Sequence, residues 1–223
     1  MLEKLFFVLR NRNGGLTQRI DARGHQMVYK VQFFGHSFVK HLKTFIKNST
    51  DLSYSLNLPG QDFMIQYTGL PGARVEDLRN NLDNVTDFKP DLLVLIIGTN
   101  DLFNRSPCQV TSNIVDLVDT LLFLHRVPKV VVCQTLYRTP PARYTKYAVD
   151  IEEFNLKVDQ LNRNLDSALK KVTSSLWRLK GFWAEKSVQT AFVSDGVHLS
   201  SEGNRKLFKN LRALVVTCRK LQD

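Results

Sequence analysis

Apolar and polar positions change their spacing regularly along the chain from residue 28 onward. Short apolar stretches, typical of buried strands, alternate with segments in which apolar residues recur every three or four positions, as on one face of a helix. The predicted strands are residues 28–35, 62–68, 91–97, 129–136 and 177–183. The predicted helices are residues 38–46, 75–85, 110–122, roughly 148–174, and a last one that starts after Ser200, a natural N-cap.

Strands that alternate with helices indicate βαβ units, a parallel sheet and right-handed crossovers. The stretch Leu92–Ile97 is continuously apolar, as expected for a strand whose two faces are both covered by helices. A chain of 223 residues fits one such domain. We therefore expect a three-layer α/β/α sandwich with a five-stranded parallel sheet in the flavodoxin-like order 2-1-3-4-5.

Residues 1–27 are interpreted as a loosely attached N-terminal extension, or as a short helix, and residues 28–223 as the domain. The apolar run Leu5–Leu9 is shorter than the core of a signal peptide, and no apolar run reaches the length of about 18 residues that a membrane span needs. Three separated cysteines argue against a disulfide framework and a structural zinc site. Both observations favour an intracellular location.

The formal net charge of +10 is distributed unevenly. Residues 1–50 carry nine Lys and Arg against two acidic residues, and residues 151–223 carry thirteen against eight. A basic surface favours anionic partners, so nucleic acid is an alternative partner to a small-molecule or acylated substrate. The chain has no Arg-rich run and no RNA-binding motif with interleaved aromatic residues, so charge is the only sequence feature in favour of nucleic acid.

Four loops are expected at the carboxyl edge of the sheet, where open parallel sheets bind ligands. Their sequences are Gly35-His36-Ser37, Gly69-Leu70-Pro71-Gly72, Gly98-Thr99-Asn100-Asp101 and Ser194-Asp195-Gly196-Val197-His198. Taken singly, each has a structural explanation: Ser caps helices, Gly relieves strained turns, and Asn or Asp followed by a small residue forms turns. The joint occurrence of all four points to a site for acyl transfer.

Acyl transfer needs these residue types. The Ser37 hydroxyl is a weak nucleophile, and His198 is a suitable base because the ordinary pKa of imidazole is near neutral pH. Asp195 precedes His198 by three residues and can fix its tautomer. The developing oxyanion needs donors, which the N–H groups of Ser37 and Gly72 and the side-chain amide of Asn100 can supply.

These four blocks, in this order, resemble those of the SGNH (GDSL-type) hydrolase family. The resemblance implies Ser37, Asp195 and His198 as catalytic residues, with Ser37, Gly72 and Asn100 in the oxyanion hole and no cofactor. The family usually has Gly-Asp-Ser where this chain has Gly-His-Ser, and the extra imidazole of His36 is expected to alter the entrance or the local charge. A metal site at His36 and His198 is rejected because no third ligand is suggested.

Similar esterase-like domains also occur in proteins encoded by some animal retrotransposons, and the surplus of basic charge fits that setting. The predicted function is a serine esterase that hydrolyses a carboxylic ester, with a short acyl or O-acetyl group, through an acyl-serine intermediate. The alternative is a catalytically weak binding module for nucleic acid or a protein partner. A flavodoxin-type nucleotide site ranks last because the chain has no GxGxxG or Walker pattern. Candidate pocket walls are Tyr67, Leu70, Phe103 and residues 137–147.

Overall fold

A five-stranded parallel sheet forms the centre of the computed structural model, which describes residues 7–9, 18–20, 27–142, 149–170, 173–183 and 190–221. Its strands are β3 (Tyr29–Gly35), β4 (Phe63–Gly69), β5 (Leu92–Ile96), β6 (Val130–Cys133) and β7 (Ser174–Trp177). Their spatial order is β4-β3-β5-β6-β7, with every neighbouring pair parallel. The predicted order 2-1-3-4-5 is confirmed.

Helices cover both faces of this sheet. They are α1 (Ser37–Lys47), α2 (Val75–Arg79), α3 (Asp83–Phe88), α4 (Pro107–Asp119), α5 (Ile151–Ala168) and α6 (Ser201–Lys220). A 3₁₀ turn over Asp101–Phe103 precedes α4, and a π-helical turn over Thr120–Leu124 follows it. Within the described ranges, no helix is both long and apolar enough to cross a membrane.

Strand β5 shows how the two helical layers are supported. Val94 and neighbouring side chains on one face pack into the core formed with α1 and α6, whereas Leu95 and its neighbours on the other face pack with α4 and α5. All five residues of the strand are buried. The continuous apolar run that predicted this strand is therefore explained by helices on both of its faces.

The fifth strand lies earlier than predicted. The sequence predicted residues 177–183, but β7 is Ser174–Trp177, which pairs with β6 at the edge of the sheet. An edge strand has one neighbour and tolerates polar residues such as Ser175. The apolar residues that suggested a strand, Leu179 and Phe182, are buried in the core from an irregular segment instead.

Three helical predictions also need correction. The helix predicted over residues 75–85 is two short helices, α2 and α3. The helix predicted over roughly 148–174 is shorter and corresponds to α5, Ile151–Ala168. Asp150 caps α5 by accepting a hydrogen bond from the Glu153 N–H at 3.0 Å. Nor does the structure place a short helix in the described part of the N-terminal segment. Strands β1 (Phe7–Leu9) and β2 (Gln18–Ile20) pair antiparallel there.

Candidate active site

The turn from β3 into α1 places Ser37 at the carboxyl edge of the sheet. A Cβ atom on Gly35 would lie 2.1 Å from the carbonyl oxygen of Ile96, so only glycine allows β3 and β5 to approach this closely at their ends. Ser37 is the first residue of α1 and is 8% exposed. Its backbone N–H belongs to the first turn, where N–H groups have no acceptor within the helix.

His36, and not Ser37, is the N-cap of α1. Its Nδ1 atom accepts a bond from the Phe38 N–H at 3.4 Å, as a capping Asp or Asn side chain would. The ring is 3% exposed, and burial lowers the pKa of His36 to about 3, with further contributions from the positive charges of His198 and Arg138. His36 is therefore a neutral cap at the base of the site.

Gly72 and Asn100 come from the two loops that flank the turn of Ser37. The Asn100 Nδ2 group donates one bond to the Ala73 carbonyl oxygen at 3.0 Å, and its second N–H is left for another acceptor. The buried Asp101 carboxylate accepts the Val75 N–H at 3.2 and 3.3 Å. Both interactions tie the segment after β4 to the loop after β5. Gly72, which directly precedes Ala73, has φ +77°.

Asp195 and His198 form a compact pair on the loop before α6. The His198 Nδ1 atom lies 2.7 Å from Asp195 Oδ2, while Asp195 Oδ1 accepts the N–H groups of Val197 at 2.8 Å and His198 at 2.9 Å. Burial raises the pKa of Asp195, but the hydrogen bonds from His198 and Val197 lower it by more than burial raises it. The pKa of Asp195 is therefore below its ordinary value. An ionised Asp195 is an acceptor for an N–H at Nδ1 of His198 and so favours the tautomer in which Nε2 can act as a base.

One cleft of about 800 Å³ brings all five sequence-predicted site residues together. It is lined by Ser37, Gly72, Asn100, Asp195 and His198. Their four loops are far apart in the sequence, and the parallel sheet gathers them at one edge. Within the described ranges, no cluster of three or more His, Cys, Asp or Glu side chains is placed to hold a metal ion.

His41 is a member of the cleft that sequence reasoning missed. Its ring lies 4.7 Å from that of His198, measured between centroids. Burial lowers the pKa of His41, as do the positive charges of His198 and Lys40. The spacing of four residues after Ser37 is the sequence signal that would have found it, because residues at i and i+4 share one face of a helix.

The chain after β6 forms another wall of the cleft and is held by two asparagines of α5. Asn162 accepts the Thr135 N–H at 2.9 Å and donates to the Thr135 carbonyl at 2.9 Å. Asn155 makes the same pair of 2.9 Å bonds with Arg138. The two side-chain amides thus bind both backbone polar groups of Thr135 and of Arg138, as a neighbouring strand would.

The same segment also contacts the loop of Asp195. The Thr139 N–H donates to the Gly196 carbonyl at 2.9 Å, and a Cβ atom on Gly196 would lie 1.9 Å from the Thr139 oxygen. Gly196 has φ +72°, a conformation that favours glycine. The position of the Asp195–His198 pair therefore depends on the segment after β6.

The expected pocket walls are found in part. Phe103 and three residues of the 137–147 segment, Arg138, Thr139 and Pro141, line the cleft. Tyr67 is buried in the core against α1, where its hydroxyl donates to the Tyr54 carbonyl at 3.1 Å. Leu70 packs against the other core. Residues 143–147 lie outside the described ranges.

Comparison with known families gives a decisive match. Residues 34–206 match the GDSL-like Lipase/Acylhydrolase family. The chain belongs to this family. It is therefore a hydrolase that acts on ester bonds, as the four sequence blocks predicted. A comparison with curated proteins finds no match.

Solved structures show the same fold. A GDSL-like lipase from Bacteroides thetaiotaomicron superimposes with a TM-score of 0.62 at 18% identity, over 84% of this chain and 88% of that one. A carbohydrate esterase family 3 protein from Talaromyces cellulolyticus gives 0.59 at 17% identity, over 87% and 99%. A catalytic mutant of an acetylxylan esterase from Geobacillus stearothermophilus gives 0.58 at 15% identity, over 84% and 94%.

Proposed function

We propose that this protein is a serine esterase that hydrolyses a carboxylic ester through an acyl-Ser37 intermediate. The observation that carries the proposal is the cleft itself, in which a helix-terminal Ser37, the hydrogen-bonded Asp195–His198 pair and the amide of Asn100 line one space. Each group suits one step of acyl transfer, and a binding site alone would need none of them in this combination.

His198 serves as the base in this mechanism. Its Nε2 atom takes the proton of the Ser37 hydroxyl as the oxygen attacks the ester carbonyl carbon. Asp195 holds the other nitrogen at 2.7 Å and stabilises the imidazolium that forms. The proton then passes from Nε2 to the departing alcohol oxygen as the carbon–oxygen bond breaks. A water molecule, activated by the same nitrogen, releases the acid from Ser37 in the second half of the reaction.

Three donors stabilise the negative oxygen of the tetrahedral intermediate. They are the backbone N–H groups of Ser37 and Gly72 and the free N–H of Asn100. The bond from Asn100 to the Ala73 carbonyl fixes the side chain before substrate binds. Such fixed donors need little reorganisation during the reaction, which is the main source of their effect.

The proposed acyl group is short or an O-acetyl group. Two of the structural relatives are carbohydrate or acetylxylan esterases, which supports an acetyl ester as the first substrate to test. Phe103, Pro141 and Val149 give the cleft apolar surface against which a small acyl chain can pack.

The test compares hydrolysis of p-nitrophenyl acetate by the wild-type protein, Ser37→Ala and Ser201→Ala. Ser201 is a matched control because it is likewise the first residue of a helix but is exposed and lies outside the cleft. We expect Ser37→Ala to lose several orders of magnitude in kcat/KM and Ser201→Ala to keep the wild-type value. A fluorophosphonate probe should label the wild-type protein and Ser201→Ala but not Ser37→Ala.

Equal rates for wild type and Ser37→Ala would overturn the catalytic assignment. In that case the alternative is the binding module, and salt-dependent binding of single-stranded RNA that is unaffected by Ser37→Ala would support its nucleic-acid form.

A further inference from the structure

Arg138 is a buried cation in the wall of the cleft that holds Ser37 and His198. The residue is 4% exposed, and its buried Nε atom has no hydrogen-bond partner among the residues that the structure describes. None of the ion pairs between described residues includes Arg138. A buried charge without a partner is costly in a folded protein, so such a group calls for a functional explanation.

The surroundings of the guanidinium hold it but do not neutralise it. Its Cζ atom lies 4.2 Å from the ring centroid of Phe103 and 4.3 Å from that of Phe154. These two centroids are 5.8 Å apart, so the rings lie on adjacent sides of the guanidinium and leave part of its periphery uncovered. Cation–π contacts of this kind stabilise a cation without removing its charge.

Asp195 is close enough to favour the charged form of Arg138, but the carboxylate oxygens of Asp195 already take part in other hydrogen bonds. They bind the His198 ring and two backbone N–H groups. Burial lowers the pKa of Arg138 only to about 10, so the side chain is charged at neutral pH. Arg138 thus lines the cleft as a cation whose Nε–H group has no acceptor among the described residues.

The backbone of Arg138 is fixed in place. Asn155 holds both its N–H and its carbonyl group at 2.9 Å. The next residue, Thr139, is bonded to Gly196 in the loop of the Asp195–His198 pair. A cation anchored in this way keeps a set position relative to the base of the reaction, as a substrate-positioning group must.

Positively charged side chains outnumber carboxylates among the described residues that line the cleft. Arg74 also lines it, whereas Asp195 is the one carboxylate among the described lining residues. His36, at the base of the site, is neutral at physiological pH. The cleft thus has a surplus of positive charge, in a chain whose net charge is +10.

From these observations we infer that Arg138 binds an oxyanion on the substrate, so that the preferred ester carries a carboxylate or phosphate group near the ester bond. The inference rests on the proposed esterase function and names its substrate class. The planar fork of arginine donors matches both oxyanions. The anion can lie on the acyl side or on the alcohol side of the ester, and the two sides give separate experiments.

The first experiment measures kcat/KM for matched anionic and neutral esters. On the acyl side, mono-4-nitrophenyl succinate is compared with 4-nitrophenyl butanoate. On the alcohol side, 4-acetoxybenzoate and 4-acetoxyphenyl phosphate are compared with methyl 4-acetoxybenzoate. We expect at least one anionic ester to be preferred by about 10-fold or more, the effect of one charge-assisted hydrogen bond to a buried group.

Three variants test whether the preference for an anionic ester depends on Arg138. Arg138→Met removes the charge and should abolish the preference. The preference is expressed as the ratio of kcat/KM for the anionic ester to kcat/KM for the matched neutral ester, so a loss of rate common to both esters cancels. Arg138→Lys keeps the charge but not the fork and should retain part of the preference. Arg178→Met changes the net charge equally at an exposed position that pairs with Asp166, and it should leave the ratio unchanged.

A binding measurement separates failure of this inference from failure of the esterase proposal. Calorimetry with Ser37→Ala protein measures Kd for the three anionic esters and for methyl 4-acetoxybenzoate without turnover. Tighter binding of an anionic ester that is lost in Ser37→Ala/Arg138→Met supports the site even if no ester is hydrolysed. Hydrolysis with equal ratios in wild type and Arg138→Met, together with no anionic preference in Kd, overturns it and leaves the esterase function standing.

Discussion

The ring of His41 lies against the ring of His198, with 4.7 Å between centroids and 37° between planes. Asp195 binds the His198 ring at Nδ1, and the His41 ring contacts the same ring at a tilt. His41 has a lowered pKa, first because of burial, and it is therefore neutral at neutral pH. It limits the orientations of the base without opposing the charge that the base acquires.

Replacing His41 tests this contact. His41→Ala should lower kcat by about 10-fold or more, because the His198 ring, then held at Nδ1 without its ring neighbour, is less well aligned for proton transfer. His41→Phe restores a ring of similar shape and should recover most of the rate. Steady-state kinetics with p-nitrophenyl acetate measures both variants, and identical rates for Ala and Phe would argue against a stacking role.

Asp195→Asn separates two roles of this side chain, which are to bind backbone N–H groups of its loop and to orient the His198 ring. The amide oxygen can still accept the N–H groups of Val197 and His198, so the loop should keep its fold and the protein its Tm. The amide nitrogen, however, would face His198 Nδ1 and favour the wrong tautomer. We expect kcat to fall by about 10²–10⁴-fold, as lost orientation of a catalytic imidazole does elsewhere.

Asp195→Ala is the companion to that variant. It removes both roles, so it should lower the melting temperature as well as kcat, since two backbone N–H groups lose their acceptor. If Asp195→Asn were as unstable as Asp195→Ala, the loss of activity could not be assigned to the tautomer.

His36 should make the fold sensitive to acid. Its pKa is about 3 in the folded protein and ordinary in the unfolded chain, so between these values the unfolded chain binds the extra proton. Stability is then complete above the unfolded pKa and decreases as the pH falls toward 3. At pH 5 the loss amounts to about 2 kcal/mol.

His36→Asn is the variant that checks this loss. Asparagine can cap α1 but does not titrate in this range. Urea unfolding at pH 7 and pH 5 should show a smaller decrease in unfolding free energy for the variant than for the wild type, by about 2 kcal/mol. An equal decrease in both proteins would place the acid sensitivity in other groups.

Two glycines with positive φ should respond differently to alanine. Gly196→Ala would place Cβ 1.9 Å from the Thr139 oxygen, so the loop must shift, and kcat/KM should fall by about 100-fold. Gly181 has φ +82°, but its nearest neighbour would be 3.8 Å away. Gly181→Ala should cost about 1 kcal/mol of stability and leave the kinetics unchanged.

Kinetics and thermal melting of the two variants provide the comparison. Equal loss of activity in both would mean that backbone strain in general, and not the contact with Thr139, controls the site.

The sequence predicted the sheet order, which is confirmed, and it pointed to five candidate site residues that the fold gathers in one cleft, because both rest on local patterns. Runs such as Leu92–Ile97 mark buried strands, and short motifs mark the loops that follow them. The fifth strand was misplaced because β7 begins with two serines and its apolar successors are buried without forming a strand. Periodicity cannot distinguish burial in a strand from burial in a loop.

Other features of the site had no local signal. Arg138 follows a strand without a motif, and its burial depends on Phe103 and Phe154 from distant elements. The capping role of His36 could not be separated from an entrance role until the turn was placed against β5. Contacts between elements decide such roles, and one sequence does not record them.

The spacing of Asn155 and Asn162 along α5 matches the spacing of the two cleft-wall residues that they bind. The seven-residue step from Asn155 to Asn162 advances about 10.5 Å along a helix. The three-residue step from Thr135 to Arg138 covers about 10 Å at the rise of a strand, so each asparagine lies opposite its partner. A single inserted or deleted residue between the asparagines would turn one amide about 100° away from its target. An insertion or deletion in this stretch of α5 would therefore detach one end of the cleft wall from the helix.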